Sequence, residues 1–263
     1  MDLGLKDRVA VVTGGSAGIG KATVEALLAE GCKVALCARN EDRLAEVANA
    51  LRGQYGDSVL AVPCDVTNGE SVSALHDAVL AKFGQVDILV NNAGRSHQST
   101  FENTSDEEWR EELELKYFSV IYPTRAFLPD MAASDIGNIV VVNSHFAREP
   151  GPGFVATSSA RGGIQNLIRS MSQEFAAKGI RVNAILLGIV ESDQWRRRYD
   201  ALEDKTQSYE EWIGVQGAAR NIPLGRFGKP EEPAAMVTFL ASQKASYITG
   251  ASVEVDGGTS HYV

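Results

Sequence analysis

No stretch of this chain stays apolar for the roughly eighteen residues that a membrane-crossing helix needs. Its first residues, Met1-Asp2-Leu3-Gly4-Leu5-Lys6-Asp7, hold no apolar block of the signal-peptide kind. Cysteine is scarce and odd in number: Cys32, Cys37 and Cys64 lie in or beside apolar strand-like runs, and no two have metal-ligand spacing. They are expected as buried free thiols in a reducing cytoplasm. The four histidines are scattered, so no metal site is expected. Positive charge is in deficit: 25 Lys and Arg against 34 Asp and Glu leave −9, which argues against nucleic acid or an anionic membrane as partner. Internal repeats, low-complexity tracts and linkers are also missing. The 263 residues therefore read as a single domain, 1–263, with a large core.

What is present is organised around Thr13-Gly14-Gly15-Ser16-Ala17-Gly18-Ile19-Gly20. An apolar run, Val9 to Val12, precedes it as a buried strand, and Lys21 to Glu30 follows with apolar residues at helical spacing. Strand, glycine turn and helix in that order aim backbone N–H groups and the positive end of a helix at an anion, with a diphosphate the expected guest. Further strands are predicted at Lys33–Ala38, Ser58–Val62, Val86–Val90, Asn138–Val142, Arg181–Leu186 and Ser252–Val255. Helices are predicted near Gly69–Phe83, Ser105–Met131, Ala156–Lys178 and Pro230–Ser242, with Pro123 a candidate kink. This alternation predicts an α/β, doubly wound parallel sheet with helices on both faces. The acidic residues Asp106, Glu107, Glu108, Glu111, Glu112 and Glu114 are expected on a solvated helix face. Residues 191–226 interrupt the alternation with polar, charged and aromatic side chains, as an insertion covering the ligand crevice would.

Thr13-Gly14 with Gly18 and Gly20, Asp65-Val66, Asn91-Asn92-Ala93-Gly94, and Ile248-Thr249-Gly250 through Asp256-Gly257-Gly258 together resemble the short-chain dehydrogenase/reductase family, over nearly the whole chain. The resemblance implies a Rossmann-type sheet of about seven strands, a nicotinamide dinucleotide, a small-molecule substrate and a homotetramer or homodimer. It places the diphosphate and ribose on Gly14, Ser16, Ala17, Gly18, Ile19 and Gly20, and the adenine by Asp65 and Val66. Asn92, Ala93 and Gly94, then Gly188, Val190 and Ser192, follow along the ribose and nicotinamide side; Leu187-Gly188 replaces the family's usual Pro-Gly, and Ser192 its usual Thr. After the second strand, Ala38 stands where an acid would grip the ribose of NAD, and Arg39 follows with Asn40. A guanidinium there suits the 2′-phosphate of NADP(H), with NAD the alternative.

The catalytic set departs from the family. Reduction of a carbonyl creates an alkoxide that must be hydrogen-bonded and protonated, and the family uses Ser, Tyr, Lys and Asn for this. Ser144 is in place, but the Tyr position is Thr157, the Lys position is Arg161 and the Asn position is Lys116. Arg161 can still meet the nicotinamide ribose, whereas an aliphatic hydroxyl on Thr157 has no useful acidity and is too short. Substitute proton donors are Lys116, His145, Tyr199, Tyr209 and Glu149. Arg196-Arg197-Arg198 would fan by about 100° each on a helix and is expected as solvated surface. Three functions follow: an NADP(H)-dependent oxidoreductase acting on a carbonyl or activated C=C bond with an atypical proton donor, a dinucleotide-binding pseudoenzyme or sensor, and a non-redox enzyme on the same scaffold, as halohydrin dehalogenases are.

Overall fold

The computed structural model describes residues 1–261; the last two residues of the expected domain lie outside the described part. Seven parallel strands form one sheet: β1 (Val9–Thr13), β2 (Lys33–Ala38), β3 (Val59–Pro63), β4 (Ile88–Asn91), β5 (Asn138–Ser144), β6 (Arg181–Leu187) and β7 (Ser252–Val255), in the order β3-β2-β1-β4-β5-β6-β7. Alternate residues of the strands enter two different cores. Val9 and Val11 face one with α3 (Gly69–Phe83), α4 (Asp106–Ala133) and α5 (Val155–Ala176), where Leu75, Phe127 and Ile168 are fully buried. Ala10 and Val12 face the other with α1 (Gly18–Ala29), α2 (Glu41–Tyr55) and α8 (Glu231–Ala241), around Leu27, Leu44 and Val237. Burial on both faces is why the central strands are continuous apolar runs rather than alternating ones.

Helix α2 is the element the strand-and-turn reading did not pick out, because its apolar stripe (Leu44, Val47, Ala48, Leu51) is diluted by charge. Its start is marked all the same: the Asn40 side chain accepts from Arg43 N at the N-cap. β3 begins one residue later than expected, since residues 56–58 form a 3-10 turn. Helix α4 runs unbroken through Pro123 and Pro129 and opens with a Ser105–Glu108 capping box. Between β6 and α8 lie two short helices, α6 (Asp193–Asp200) and α7 (Tyr209–Ala218). They pack on a small cluster of their own around Ile213, Ile222 and Phe227.

The winding direction reverses between β1 and β4, so the loops at their C-terminal ends diverge and leave a crevice there. The turn after β1 and the Asn91–Gly94 segment form its walls. Thr13 ties them together: its hydroxyl donates to Val90 O and accepts from Asn92 N and Ala93 N, the latter two at 3.0 Å. No helix among the described residues is long and apolar enough to cross a membrane.

Candidate active site

A cavity of about 490 Å³ occupies the crevice, with Gly14, Ala17, Gly18, Ile19 and Gly20 on one wall and Asn92, Ala93 and Gly94 on another. Its floor continues over Leu187, Gly188 and Val190 to Ser192, Asp193, Gln194 and Arg197 of the covering segment. Gly20 sits directly against the turn, where any Cβ would overlap the Gly14 carbonyl. At the start of α1 neither a side-chain cap nor an acidic residue meets the first-turn N–H groups. Those donors and the positive end of the helix are left to an anion from the cavity, so the residues present fit a dinucleotide diphosphate. The Asn92 amide does not face the cavity as a ligand donor. It donates to Thr13 O at 2.9 Å and Gly14 O at 3.3 Å, which fixes the shape of the turn.

A second cavity of about 390 Å³ continues past the turn and is lined by Ser16, Arg39, Asn40, Cys64, Asp65 and Val66. No carboxylate stands at the end of β2; Arg39 is exposed at the rim, and Arg43 joins it from the first turn of α2. Arg43 was missed from sequence; it lies in the first turn of α2, just after the Asn40 cap, which brings it to the same rim. Its Nε donates to Ser16 O at 3.0 Å, and Nη2 pairs with Asp193 Oδ2 of α6 at 2.5 Å, linking the covering segment to α2. Asp65 Oδ1 accepts from Thr67 N and its hydroxyl.

The far end of the first cavity is where the catalytic set departs. Arg161 lines it; Nη1 donates to Val142 O at 3.1 Å, while Nε is buried with no protein partner. Burial lowers its pKa to about 10, partly countered by the Glu112 charge, and leaves it a cation at neutral pH. Behind it Lys116 is buried, and Nζ donates to Arg95 O at 2.7 Å and Glu112 Oε2 at 2.9 Å. Burial and the neighbouring Arg161 charge lower the Lys116 pKa to about 8, against the opposing pull of Glu112.

Glu112 corrects the expected solvated face: its side chain is 3% exposed, whereas Asp106 at the helix start is 92% exposed. Burial alone would raise its pKa, but hydrogen bonds from Thr157 and Lys116 outweigh that and hold it below the ordinary carboxylate value. The signal was available: Glu112 lies four residues before Lys116, one turn up the same stripe of the helix.

Thr157 is fully buried and is not positioned to meet a substrate, contrary to its place in the candidate catalytic set. Its hydroxyl donates to Glu112 Oε2 at 2.6 Å and accepts from His97 N at 3.1 Å, so it serves as an anchor for the carboxylate. Ser144 is half-buried, its hydroxyl accepting from Phe146 N at 3.3 Å. The other candidate donors are engaged elsewhere. His145 Nδ1 meets Leu187 O at 2.8 Å, and Glu149 pairs with His261 at 2.8 Å. Tyr199 donates to Gln207 O and packs with Tyr209 and Trp212 in the covering segment, so neither tyrosine reaches the cavity. Of the three arginines of α6, Arg196 and Arg198 lie over the rings of Tyr209 and Trp195, and Arg197 borders the cavity. Cys32, Cys37 and Cys64 are all free and buried, and no metal-holding cluster occurs among the described residues.

Comparison with known proteins agrees with this fold. The pattern of the Enoyl-(Acyl carrier protein) reductase family matches residues 14–260. The 3-oxoacyl-(acyl-carrier-protein) reductase FabG of Vibrio cholerae is 35% identical over 97% of this chain and 98% of its own. An apo short-chain oxidoreductase from Pseudomonas aeruginosa PAO1 with an atypical catalytic center is 50% identical, with a TM-score of 0.95 over 97% of this chain and 98% of that one. A similar NADPH-bound structure from that organism gives 49% identity and 0.93, covering 98% and 100%. L-Sorbose reductase of Gluconobacter frateurii, solved with NADPH and L-sorbose, gives 33% and 0.93 over the whole of both chains. The chain is a member of the short-chain dehydrogenase/reductase family.

Proposed function

We propose that the chain is an NADP(H)-dependent oxidoreductase that reduces a carbonyl or activated C=C bond of a small molecule, with Lys116 supplying the proton. The observation that carries this reading is the Lys116 ammonium, buried behind Arg161 and held by Arg95 O, two residues that line one end of a groove whose other end holds Arg39 and Arg43. The NADPH-bound relatives support the choice of cofactor. The first turn of α1 would hold the diphosphate, Arg39 and Arg43 the 2′-phosphate, and Arg161 the nicotinamide ribose. Bound there, the dinucleotide supplies hydride.

The protein's own part is to meet the charge that develops on the substrate. Lys116 and Arg161 against Glu112 leave one positive charge in excess in a site of low polarity, which favours an oxyanion or enolate. The ammonium has three N–H donors, of which Arg95 O and Glu112 take two. With a pKa of about 8 it is protonated at neutral pH and a far better acid than an ordinary lysine. A homodimer or homotetramer is the assembly we carry forward.

Fluorescence titration with NADPH and NADH tests the first half, with NADPH expected to bind more tightly. NADPH oxidation against ketones, enones and acyl thioesters tests the second. Turnover of one class, lost in Lys116→Met with binding retained, is the expected result. Binding without turnover of any class would favour the dinucleotide-binding, non-redox reading, which the anchored Thr157 also suits.

A further inference from the structure

Glu112 is a buried carboxylate that cofactor binding does not use. It also faces a third cavity. A space of about 320 Å³, separate from the groove, is lined by Arg95, Ser96, His97, Glu108, Glu111 and Glu112. Arg95 and Ser96 form the partition, since they line the groove as well. Oε2 of Glu112 is fully engaged, by Lys116 Nζ at 2.9 Å and the Thr157 hydroxyl at 2.6 Å. Oε1 is buried and has no protein partner. An acceptor left bare in a buried carboxylate is costly unless water reaches it, and the adjoining cavity is polar and wide enough to hold water. The other charged groups around it are Arg161 from α5, Arg95 and His97 from the loop after β4, and Glu108 and Glu111 from its own helix.

We propose that Glu112 is the port through which solvent protons reload Lys116, a positioning and relay residue that acts through that lysine. The proposal rests on the reading of Lys116 as donor. Once Lys116 has given a proton to the reduced substrate, it is a neutral amine with a carboxylate beside it. Water in the 320 Å³ cavity protonates Oε1, leaving hydroxide to the solvent. A half-turn about the Cγ–Cδ bond, a soft two-fold torsion, brings that proton to the side facing Lys116. The amine accepts it, and ammonium and carboxylate are both restored. No proton need cross the substrate groove, so reloading proceeds while product or cofactor still fills it. Thr157 accounts for its own burial here: its hydroxyl can donate to whichever oxygen is turned inward.

The direct test reads exchange of the Lys116 ammonium protons with water, by NMR of the full chain carrying nitrogen-labelled lysine. The signal is assigned by its absence in Lys116→Met. Glu112→Gln keeps the size and an accepting oxygen but cannot carry a proton, and should slow exchange about tenfold or more. In Glu112→Ala, formate entering the cavity should restore fast exchange. Unchanged exchange in folded Glu112→Gln overturns the proposal. If that variant does not fold, Ser96→Leu is read instead; it narrows the cavity with Glu112 and Lys116 intact, and exchange as fast as in the wild type again overturns it. Turnover gives a second readout that a structural role would not move. With NADPH and the substrate class found by screening, Glu112→Gln should show a burst of one equivalent per site followed by a slow phase, because Lys116 starts protonated. Exchange that depends on Glu112, together with turnover that survives Lys116→Met, would sink the reductase reading of Lys116 and leave the port standing.

Discussion

At the scale of single residues, the expected departure from the family's catalytic set is an exchange of chemistry at three positions. An aliphatic hydroxyl, a guanidinium and an ammonium stand where phenol, ammonium and amide are expected, and Glu112 binds them into one set. The substitutions were legible; the carboxylate that joins them was marked only by its place four residues before Lys116, a signal masked by the five other acidic residues around it, Asp106, Glu107, Glu108, Glu111 and Glu114. Reinstating the family pair is expected to fail. Thr157 is fully buried against Glu112, so Thr157→Tyr with Arg161→Lys overpacks the site and costs about 1–3 kcal/mol, read as a lowered denaturation midpoint, without restoring ketone reduction. At the other end of the groove, Arg39→Ala removes a charged donor from the proposed 2′-phosphate site. Loss of about 1.5–3 kcal/mol, or roughly ten- to hundredfold in NADPH affinity, is expected, with NADH binding unchanged in the same titration.

At the scale of elements, the site is a product of how α4 lies on α5. Glu112, Lys116 and Tyr117 project from the first, and Thr157, Arg161 and Gly163 from the second. The two helices approach so closely that a Cβ on Gly163 would overlap the Tyr117 hydroxyl. Gly163→Ala therefore has to displace the Tyr117 ring, on the residue next to Lys116. A stability loss of about 1–3 kcal/mol by denaturant titration, together with reduced turnover and unchanged NADPH affinity, is the expected result. Removing the α4 cap, Ser105→Ala, costs about 1 kcal/mol and should leave turnover alone, since the capping box lies two turns from Glu112. Strands were readable as apolar runs because both faces of the sheet are covered. Helix α2 escaped because its charged residues hide a four-residue apolar stripe, and the burial of Glu112 escaped because helix–helix contact is not a local property.

At the scale of the molecule, the reversal of winding between β1 and β4 opens the groove, and α6 borders it through Asp193, Gln194 and Arg197. The order of strand, turn and helix made that groove predictable, whereas the aromatic packing of the covering segment, with Trp195, Tyr199, Tyr209 and Trp212 held together, emerged from the fold. A ligand held by the native state alone raises its stability by mass action. NADPH at a hundred times its Kd should add about 2.7 kcal/mol and raise the melting temperature by roughly 5 °C or more, with a smaller shift from NADH at equal concentration.

The most direct test of the central claim is the pH dependence of NADPH oxidation, with the substrate class found by screening, in the wild type and in Lys116→Met. A proton donor must be protonated to act, and Lys116 loses its proton near pH 8. Wild-type turnover is predicted to hold at neutral pH and fall as pH rises through about 8, while Lys116→Met runs about a hundredfold slower without that descent and binds NADPH as before. Equal turnover and an equal pH profile in Lys116→Met would contradict the account.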